Sequence, residues 1–330
     1  MRELKKPFLI LLFLTFLFLS LHYIFFTGIP SPAEWTPLII PYETPTKKIG
    51  EILKEKGIIE NKFLFLFATK LFGGERKMKG GKYLLPKGIS EFFAYRILKK
   101  GGKERVTITI PEGWTKEKIG EVLEKEGVVK KDSFLLAATD SAFLRVLGIP
   151  FPQAEGFLFP NTYEFNIPSS PYSIMEKMVG HFFKVYKSLR ESIPSPFSDS
   201  LVIILASLVE KEAVLDSERP IIAGVFLNRL KKRMKLESCP TVEYALSLHK
   251  ERLNSIDLTI DSPYNTYLHY GLPPTPICNP GKKSLMAVLR PAKTDYLFFF
   301  AAGDGRHIFS KTFLEHQKKL NRIKLSLPEE

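Results

Sequence analysis

The chain has 330 residues, of which 45% are hydrophobic and 25% are charged. A chain of this length and composition is expected to fold into about two globular domains. Its only cysteines, Cys239 and Cys278, exclude a structural zinc cluster. The net charge of +13 leaves three kinds of partner open, namely nucleic acid, an anionic membrane surface and an acidic polymer.

An unbroken apolar segment, Phe8–Phe26, follows a few basic residues at the N-terminus. As a helix rising about 1.5 Å per residue, it would span roughly the 30 Å hydrocarbon core of a bilayer. A cleaved signal peptide is the alternative, but its apolar region is usually about 7–15 residues long and ends at a small-x-small site. Residues 28–32 lack that site. We therefore predict an uncleaved, single-pass anchor at residues 8–26.

The basic residues before the anchor place residues 1–7 in the cytoplasm and the rest of the chain outside the cytoplasmic membrane. Residues 27–39, rich in proline and small polar residues, are predicted to be a spacer. Nucleic acid is not an expected partner at this location. The lysines are expected to form a solvated surface that faces anionic lipid or wall polymer.

An internal repeat follows the spacer. Lys48–Leu53 matches Lys118–Leu123 at an offset of 70 (118 − 48 = 70), and the match continues to Ala68-Thr69 against Ala138-Thr139. Each copy predicts an amphipathic helix closed by a glycine. The alternation of Arg105–Ile110 between the copies predicts a strand.

These elements predict a small α+β module over residues 40–150. Two interpretations of the module stay open. It is either a packing domain without a ligand or a carbohydrate-contacting module in which Trp114 and Tyr83 offer stacking surfaces.

The remaining residues, 151–330, predict a larger α+β domain. The predicted elements are a helix over 170–190, a buried apolar run over 201–214, a helix over 218–234 with Ser217 as N-cap, a polar loop over 259–281, a hairpin around 303–306 and a basic helix over 312–324.

The apolar run ends in two glutamates, Glu210 and Glu212. A carboxyl group at the end of an apolar segment is costly to ionise, so its pKa is expected to rise towards the range of a general acid. Helical residues two apart point about 200° away from each other, so the two cannot face one cleft. Glu212 lies over the bulkier apolar stripe. We therefore predict Glu212 as the catalytic acid and Glu210 as a supporting residue; two surface glutamates are the alternative.

Several motifs follow one another in an order that is typical of one family. They are Ala206–Glu212, Val225–Leu230, Pro240-Thr241, Tyr264–Tyr267, Gly271–Pro274, Asn279–Gly281, Pro291–Lys293, His307–Thr312 and Glu315-His316. Together they resemble the endolytic murein transglycosylase (YceG-like) family. The resemblance covers most of the chain after the anchor, and it implies that the small module is of the LysM type.

The resemblance also implies an activity, a lyase reaction on peptidoglycan. A family member cuts the glycan strand between N-acetylmuramic acid and N-acetylglucosamine without water and leaves a 1,6-anhydro end. The catalytic glutamate carries over to Glu212. The C6 hydroxyl of the sugar is the nucleophile, so one carboxyl group suffices and no cofactor is implied. The implied substrate is nascent strands, and the implied partners are penicillin-binding synthases, whose chain elongation the enzyme would terminate.

Five polar side chains are predicted to bind the sugar, each with a structural alternative as scaffold. They are Asn228, Thr241, Tyr264, Asn265 and Tyr267. No metal site is predicted, because His307 and His316 lack further metal-binding neighbours and are expected to be structural.

The chain departs from the family at its cysteines. Cys239 stands where the family usually has an aspartate, and Cys278 where it usually has a small residue. The loss of that aspartate puts a second carboxylate in doubt, and the two changes together favour a Cys239–Cys278 disulfide. Two rival functions stay open, a non-catalytic membrane-tethered peptidoglycan-binding protein and a hydrolytic muramidase with a second carboxylate.

Overall fold

The computed structural model describes residue 15 and residues 35–73, 78–101, 105–167, 169–248 and 253–326. Apart from Thr15, the predicted anchor at residues 8–26 lies outside them. None of the helices in the described part of the chain combines the length and the apolar character needed to cross a membrane.

Helices and short strands alternate along the chain, which confirms the α+β class. The helices are α1 (Thr46–Glu55), α2 (Lys62–Leu71), α3 (Glu91–Lys100), α4 (Lys116–Lys125), α5 (Lys131–Ala137), α6 (Ser141–Val146), α7 (Pro171–Ser192), α8 (Asp199–Glu212), α9 (Arg219–Lys231), α10 (Cys239–Leu246), α11 (Lys282–Leu289) and α12 (Phe313–Ser326). The strands are β1 (Trp35–Ile40), β2 (Gly81–Pro86), β3 (Arg105–Ile110), β4 (Asn161–Asn166), β5 (Phe298–Ala301) and β6 (His307–Ser310). They pair as β1 with β2, β3 with β4 and β5 with β6.

The chain divides into two compact units, neither of which is continuous in sequence. Within the described residues, the first unit comprises the chain up to Ile108 together with Glu121–Lys131 and Glu164–Ser170. The second comprises Thr109–Gly120, Asp132–Tyr163 and the chain from Pro171 onward. The functional domains predicted at 40–150 and 151–330 stay predictions.

The first unit is built on an antiparallel pair of strands. β1 and β2 run in register from Trp35 opposite Pro86 to Ile40 opposite Gly81. Leu38 and Ile40 point into a core that they share with apolar side chains of the helices, because alternate residues of a strand face one side. The helix α1 contributes the buried Ile49 and Leu53 and is followed by Gly57 at φ 66°, as the glycine closure predicts.

The predicted amphipathic helix is confirmed in each copy of the internal repeat, whereas the helix that follows it is shifted by one residue relative to the sequence match. Buried positions of α1 and α4 match at the predicted offset, as Ile49 with Ile119 shows. In α2 the buried residues are Phe65, Ala68 and Thr69, whereas Thr139 of the second copy is exposed. The buried residues there are Phe134, Ala137 and Ala138. The register shifts because the connection between the helices is one residue shorter in the second copy.

The second unit surrounds a buried helix. Every residue of α8 from Val202 to Val209 is buried, and α9, α10 and α11 pack around it. The N-cap of the helix is Ser198, whose hydroxyl accepts a hydrogen bond from the Leu201 N–H at 3.3 Å. It ends at Glu212, so the carboxyl of that residue is held at the edge of the packed core.

Two further expectations for this unit have clear outcomes. The hairpin is confirmed, with β5 and β6 antiparallel from Phe298 opposite Ser310 to Ala301 opposite His307. The N-cap of α9 is Glu218 and not Ser217, and it makes no capping side-chain bond. Pro220 lies in the first turn, where its missing N–H leaves no intrahelical hydrogen bond unmade.

Candidate active site

Glu212 is the last residue of α8 and is partly exposed. The Ser238 hydroxyl donates a hydrogen bond of 2.5 Å to its Oε1 atom. Desolvation by the surrounding side chains raises the pKa of Glu212, and the Glu243 carboxylate adds to the rise. The Ser238 hydrogen bond and the charge of His307 act in the opposite direction, but the net pKa stays above its usual value. The C-terminal end of a helix carries partial negative charge, which also disfavours a carboxylate there.

Two threonine hydroxyl groups hold the Ser238 donor in place. The Ser238 N–H donates to Thr266 Oγ1 at 3.0 Å, and Thr266 Oγ1 lies 2.9 Å from Thr241 Oγ1. The Thr241 hydroxyl in turn donates to the Ser238 carbonyl at 2.7 Å. Ser238, Thr241 and Thr266 are all buried. In this conformation Thr241 therefore supports the residue that bonds Glu212, and its predicted contact with sugar stays a prediction.

Tyr267 lies on the side of the site that includes Cys239. Its hydroxyl is 3.1 Å from Cys239 Sγ, and the ring is partly exposed. Burial raises the pKa of Tyr267, with smaller contributions from Cys239 and Glu212. Tyr267 is one of the predicted sugar-binding residues and is partly exposed. The charge of Glu212 contributes to the rise of its pKa.

Asn265 is fully buried and shapes the turn that carries Tyr267. Its side-chain amide donates to the Leu258 and Ile260 carbonyls, both at 2.9 Å, and its Oδ1 accepts the Tyr267 N–H at 2.9 Å. These bonds occupy the groups that a sugar would need. Binding by Asn265 stays a prediction, and its observed contacts are those of a positioning residue.

Glu210 bonds a different set of partners from Glu212. Its Oε1 accepts from Arg219 Nη1 at 3.0 Å and its Oε2 from the Gly281 N–H at 2.8 Å. The side chains of Glu210 and Arg219 are 5% and 8% exposed, so they form a buried ion pair. A Cβ at Gly281 would collide with the carboxyl group of Glu112, which explains a glycine at this position. These contacts are consistent with the predicted supporting role.

Asn228 and Tyr264 make contacts with other parts of the second unit. The Asn228 amide donates to the carbonyls of Thr294 at 2.7 Å and Tyr296 at 3.1 Å. The Tyr264 hydroxyl lies 2.7 Å from Thr275 Oγ1 and accepts from Gln153 at 3.2 Å. Both side chains are partly exposed, and within the described residues neither is hydrogen-bonded to Glu212 or Ser238. Their predicted role in sugar binding stays open.

Sequence reasoning missed two neighbours of Glu212 besides Ser238. Glu243, which lies on α10, raises the pKa of Glu212, and His307, which lies on β6, lowers it. His307 is held by Glu218, whose Oε2 lies 2.7 Å from the ring Nδ1 and whose Oε1 accepts the backbone N–H at 3.0 Å. The order of the motifs placed His307 in the family pattern, but spacing alone gave no sign that it lies near Glu212.

A buried acid in the second unit was also missed. Glu155 is fully buried, accepts the Lys116 N–H at 3.1 and 3.2 Å, and accepts the Asn279 amide at 2.6 Å. Desolvation raises its pKa to about 8, although the nearby Lys116 charge lowers it. Asn279 also donates to the Trp114 carbonyl at 2.9 Å. Glu155 and Asn279 therefore join the turn before α4 to the loop before α11.

The two proposed stacking residues of the small module differ in exposure. Tyr83 is buried and its hydroxyl donates to the Lys79 carbonyl at 2.5 Å, so the prediction of an open stacking surface there is wrong. Trp114 is partly exposed, with the Lys118 ammonium 5.3 Å from its ring. Among the described residues, no three metal-binding side chains are grouped to hold an ion.

Both cysteines are free, and the favoured disulfide is wrong. Cys239 is exposed beside Tyr267, whereas Cys278 is fully buried against the Ser207 carbonyl. We expect a maleimide to label Cys239 but not Cys278 in the folded, non-reduced protein, as measured by intact mass. Unfolding without reductant should make both thiols reactive. A Cys239→Ser variant, as control, should resist labelling until it is unfolded; failure of both thiols to react in the unfolded parent would contradict the structure.

Comparison with known proteins gives consistent matches over most of the chain. The model of the YceG-like family matches residues 38–322. An endolytic murein transglycosylase of Bacillus subtilis (strain 168) is 36% identical over 298 residues, which cover 84% of this chain and 82% of the relative. An endolytic murein transglycosylase of Streptococcus pneumoniae (serotype 2, strain D39) is 28% identical over 85% of this chain, which spans 57% of that longer relative. A crystal structure of a putative YceG-like protein from Listeria monocytogenes is similar with a TM-score of 0.59 and 33% identity, covering 87% of this chain and 99% of that one.

Proposed function

The chain belongs to the YceG-like family, and from this premise we propose that it is an endolytic murein transglycosylase that cuts peptidoglycan glycan strands with Glu212 as its acid–base group. The observation that carries the proposal is the carboxyl group at the end of α8. It is desolvated, its pKa is raised, and its hydrogen-bond partner is a neutral hydroxyl. A carboxyl of this kind retains a proton at a pH where an ordinary glutamate has lost it, as a general acid requires.

In the first step, the Glu212 carboxylic acid donates its proton to the glycosidic oxygen between N-acetylmuramic acid and N-acetylglucosamine. The bond from the muramic acid C1 atom to that oxygen breaks, and the N-acetylglucosamine side leaves with a new hydroxyl. In the second step, the muramic acid O6 atom bonds to C1 while the Glu212 carboxylate takes the O6 proton. The product is a 1,6-anhydro end, and Glu212 regains its proton.

Because the nucleophile belongs to the substrate, the reaction needs neither a water molecule nor an enzyme nucleophile. A hydrolytic glycosidase instead needs a second carboxylate at a defined separation from the acid. Cys239 occupies the position where the family usually has an aspartate, and the carboxylate that acts electrostatically on Glu212 is Glu243. Glu243 is therefore the residue on which the hydrolytic alternative would depend.

Ser238 is expected to tune the acid. Its hydroxyl hydrogen bond stabilises the charged form of Glu212 and so lowers the Glu212 pKa. In Ser238→Ala the pKa should rise further, and the high-pH limb of the rate profile, where the acid loses its proton, should move to higher pH. The pH dependence of anhydro-product formation measures this shift. A Ser198→Ala variant, which changes a cap at the other end of α8, serves as control; movement of the limb in both variants, or to lower pH in Ser238→Ala, contradicts the assignment.

The cellular role is part of the same proposal. Residues 8–26 anchor the enzyme in the cytoplasmic membrane, with residues 40–150 as a LysM-like module and 151–330 as the catalytic domain outside. The anchor gives access to nascent strands as they emerge, so that cutting them ends chain elongation. Penicillin-binding synthases, which make these strands, are the proposed partners.

Product analysis tests the proposed activity. The purified full-length protein is incubated with glycan strands, and the products are separated by chromatography and identified by mass. New 1,6-anhydro ends are the expected result. Reducing muramic acid ends would indicate a hydrolytic muramidase, and binding of strands without any product would indicate a non-catalytic tether.

A further inference from the structure

One face of α2 in the first unit carries large apolar side chains in solvent. Phe63, Phe67 and Leu71 are 71%, 55% and 60% exposed. They are four residues apart in sequence, so they form one stripe along the helix. The opposite face supplies the buried residues of the core. Contiguous exposed apolar surface of this kind marks a site of contact with a protein or a membrane.

The internal repeat shows that the fold does not need this stripe. When α2 and α5 are aligned by their buried residues, Phe63 corresponds to Asp132 and Phe67 to Leu136. Leu71 corresponds to Asp140, which caps the next helix. The second copy forms a shorter helix, Lys131–Ala137, with an aspartate at the first of the three positions and an exposed leucine at the second; the third position lies beyond its end. The buried face of the helix in the second copy is thus formed without aromatic residues at the corresponding exposed positions.

The charge of α2 identifies the kind of surface that this face fits. The helix contains two lysines, Lys62 and Lys70, and neither aspartate nor glutamate. The Lys62 ammonium lies 5.5 Å from the centre of the Phe63 ring and 3.9 Å from Glu51 Oε1, whereas Lys70 is exposed in the turn between Phe67 and Leu71. An apolar stripe with lysines beside it is typical of helices that lie in the interface of an anionic bilayer.

The sequence also keeps this unit near a membrane. The predicted anchor ends at Phe26, and β1, which belongs to the same unit as α2, begins at Trp35. The eight residues between them, 27–34, give nine Cα–Cα steps (35 − 26 = 9), which reach at most about 30 Å when fully extended. The surface of the bilayer is therefore within reach of this unit. Its acyl chains are apolar and its anionic headgroups are negatively charged.

We propose that the stripe formed by Phe63, Phe67 and Leu71 lies in the headgroup region of the bilayer that holds the anchor. The first unit is then bound to the membrane at two places, by the anchor and by the α2 stripe. Two attachments restrict the orientation of this unit over the bilayer more than one attachment does. The inference rests on the membrane anchor of the proposed function.

The test places a fluorescent reporter on the stripe. The full-length chain with Phe67→Trp is reconstituted into vesicles of phosphatidylglycerol and phosphatidylethanolamine, some with acyl chains brominated close to the headgroups. A side chain buried 5–10 Å into the interface should lose roughly half of its added fluorescence in the brominated vesicles. Leu136→Trp is the matched control, because it changes the corresponding residue of the repeat and Leu136 is 72% exposed. The parent protein gives the background of its own two tryptophans.

Selective quenching at residue 67 supports the proposal. Equal quenching at residues 67 and 136, or none at either in a chain that floats with the vesicles, overturns the stripe and leaves the anchor standing. A chain that does not float overturns both. If a photo-crosslinker at residue 67 joins two copies in place of lipid, the stripe is a dimer contact and the proposal is wrong. Glycan cleavage by the same samples reports separately on the proposed activity.

Discussion

Replacing Glu212 by glutamine is expected to abolish the formation of 1,6-anhydro ends while leaving the fold intact. Glutamine has nearly the shape of glutamate and still accepts the Ser238 hydrogen bond, but it has no proton to donate to a glycosidic oxygen. Loss of a general acid–base group lowers a rate by about 100- to 10,000-fold. Chromatography of muropeptides after digestion measures the loss, and circular dichroism checks the fold.

The direction in which Glu212→Gln changes the stability of the protein follows from the raised pKa of Glu212. Because the pKa of Glu212 is raised, the folded protein holds this proton more tightly than the unfolded chain does. The parent therefore loses stability as the pH rises from the unfolded pKa to the folded pKa. Glutamine does not ionise, so Glu212→Gln should unfold at a temperature equal to or higher than that of the parent at neutral pH. The difference should disappear in acid.

Glu243→Gln is the matched control for the chemistry. It removes another carboxylate that acts on Glu212, and it should lower the Glu212 pKa slightly without stopping the reaction. Retained anhydro-product formation supports a mechanism with one carboxyl group. If Glu243→Gln is as inactive as Glu212→Gln, two carboxylates are needed and the transglycosylase mechanism is wrong. Full activity of Glu212→Gln removes Glu212 from the catalytic role.

Local patterns in the sequence predicted local structure well. The alternation of Arg105–Ile110 became β3, and the turn rich in glycine between two apolar runs became the hairpin of β5 and β6. The errors came where a single residue sets the register of a helix or the position of its N-cap. A connection shortened by one residue shifted the second half of the repeat, and the N-cap of α9 is Glu218, one residue after the predicted Ser217.

The candidate site was predictable only in part. Helical phase separated Glu210 from Glu212, and the structure gives them different partners. Burial alone does not distinguish them, because the Glu210 side chain is only 5% exposed. The distinguishing feature is that Glu210 meets the cation of Arg219 and Glu212 meets a neutral hydroxyl. Ser238 lies 26 residues from Glu212 in sequence, so no local pattern could reveal that contact.

The polar residues of the family motifs show the same limit. A threonine or asparagine next to a proline or a tyrosine suits a sugar site and a structural turn equally well. Thr241 and Asn265 are fully buried, with their polar atoms bonded to neighbouring turns. Which of the two uses applies depends on the direction of the side chain, which is set by packing between segments that are far apart in sequence.

Removing Glu210 is expected to destabilise the protein, in contrast to the loss of activity expected at Glu212. Glu210→Ala leaves the Arg219 guanidinium buried without its buried partner, and it also removes the acceptor of the Gly281 N–H. Breaking a buried ion pair on one side costs about 3–5 kcal/mol. In a protein of this size that lowers the unfolding temperature by roughly 4–7 °C. Thermal unfolding followed by circular dichroism measures the change.

Asp216 provides the matched control on the same arginine. Its carboxylate also bonds Arg219, at 3.0 Å, but its side chain is 53% exposed. Water therefore replaces much of what the contact contributes, and Asp216→Asn should change the unfolding temperature little. Arg219→Met combined with Glu210→Met should recover much of the loss, because an apolar pair leaves no buried charge unpaired. Equal changes of unfolding temperature in Glu210→Ala and Asp216→Asn would contradict the importance of the buried ion pair. A Glu210→Ala protein that is fully stable but inactive would assign Glu210 to the chemistry and reverse the roles of the two glutamates.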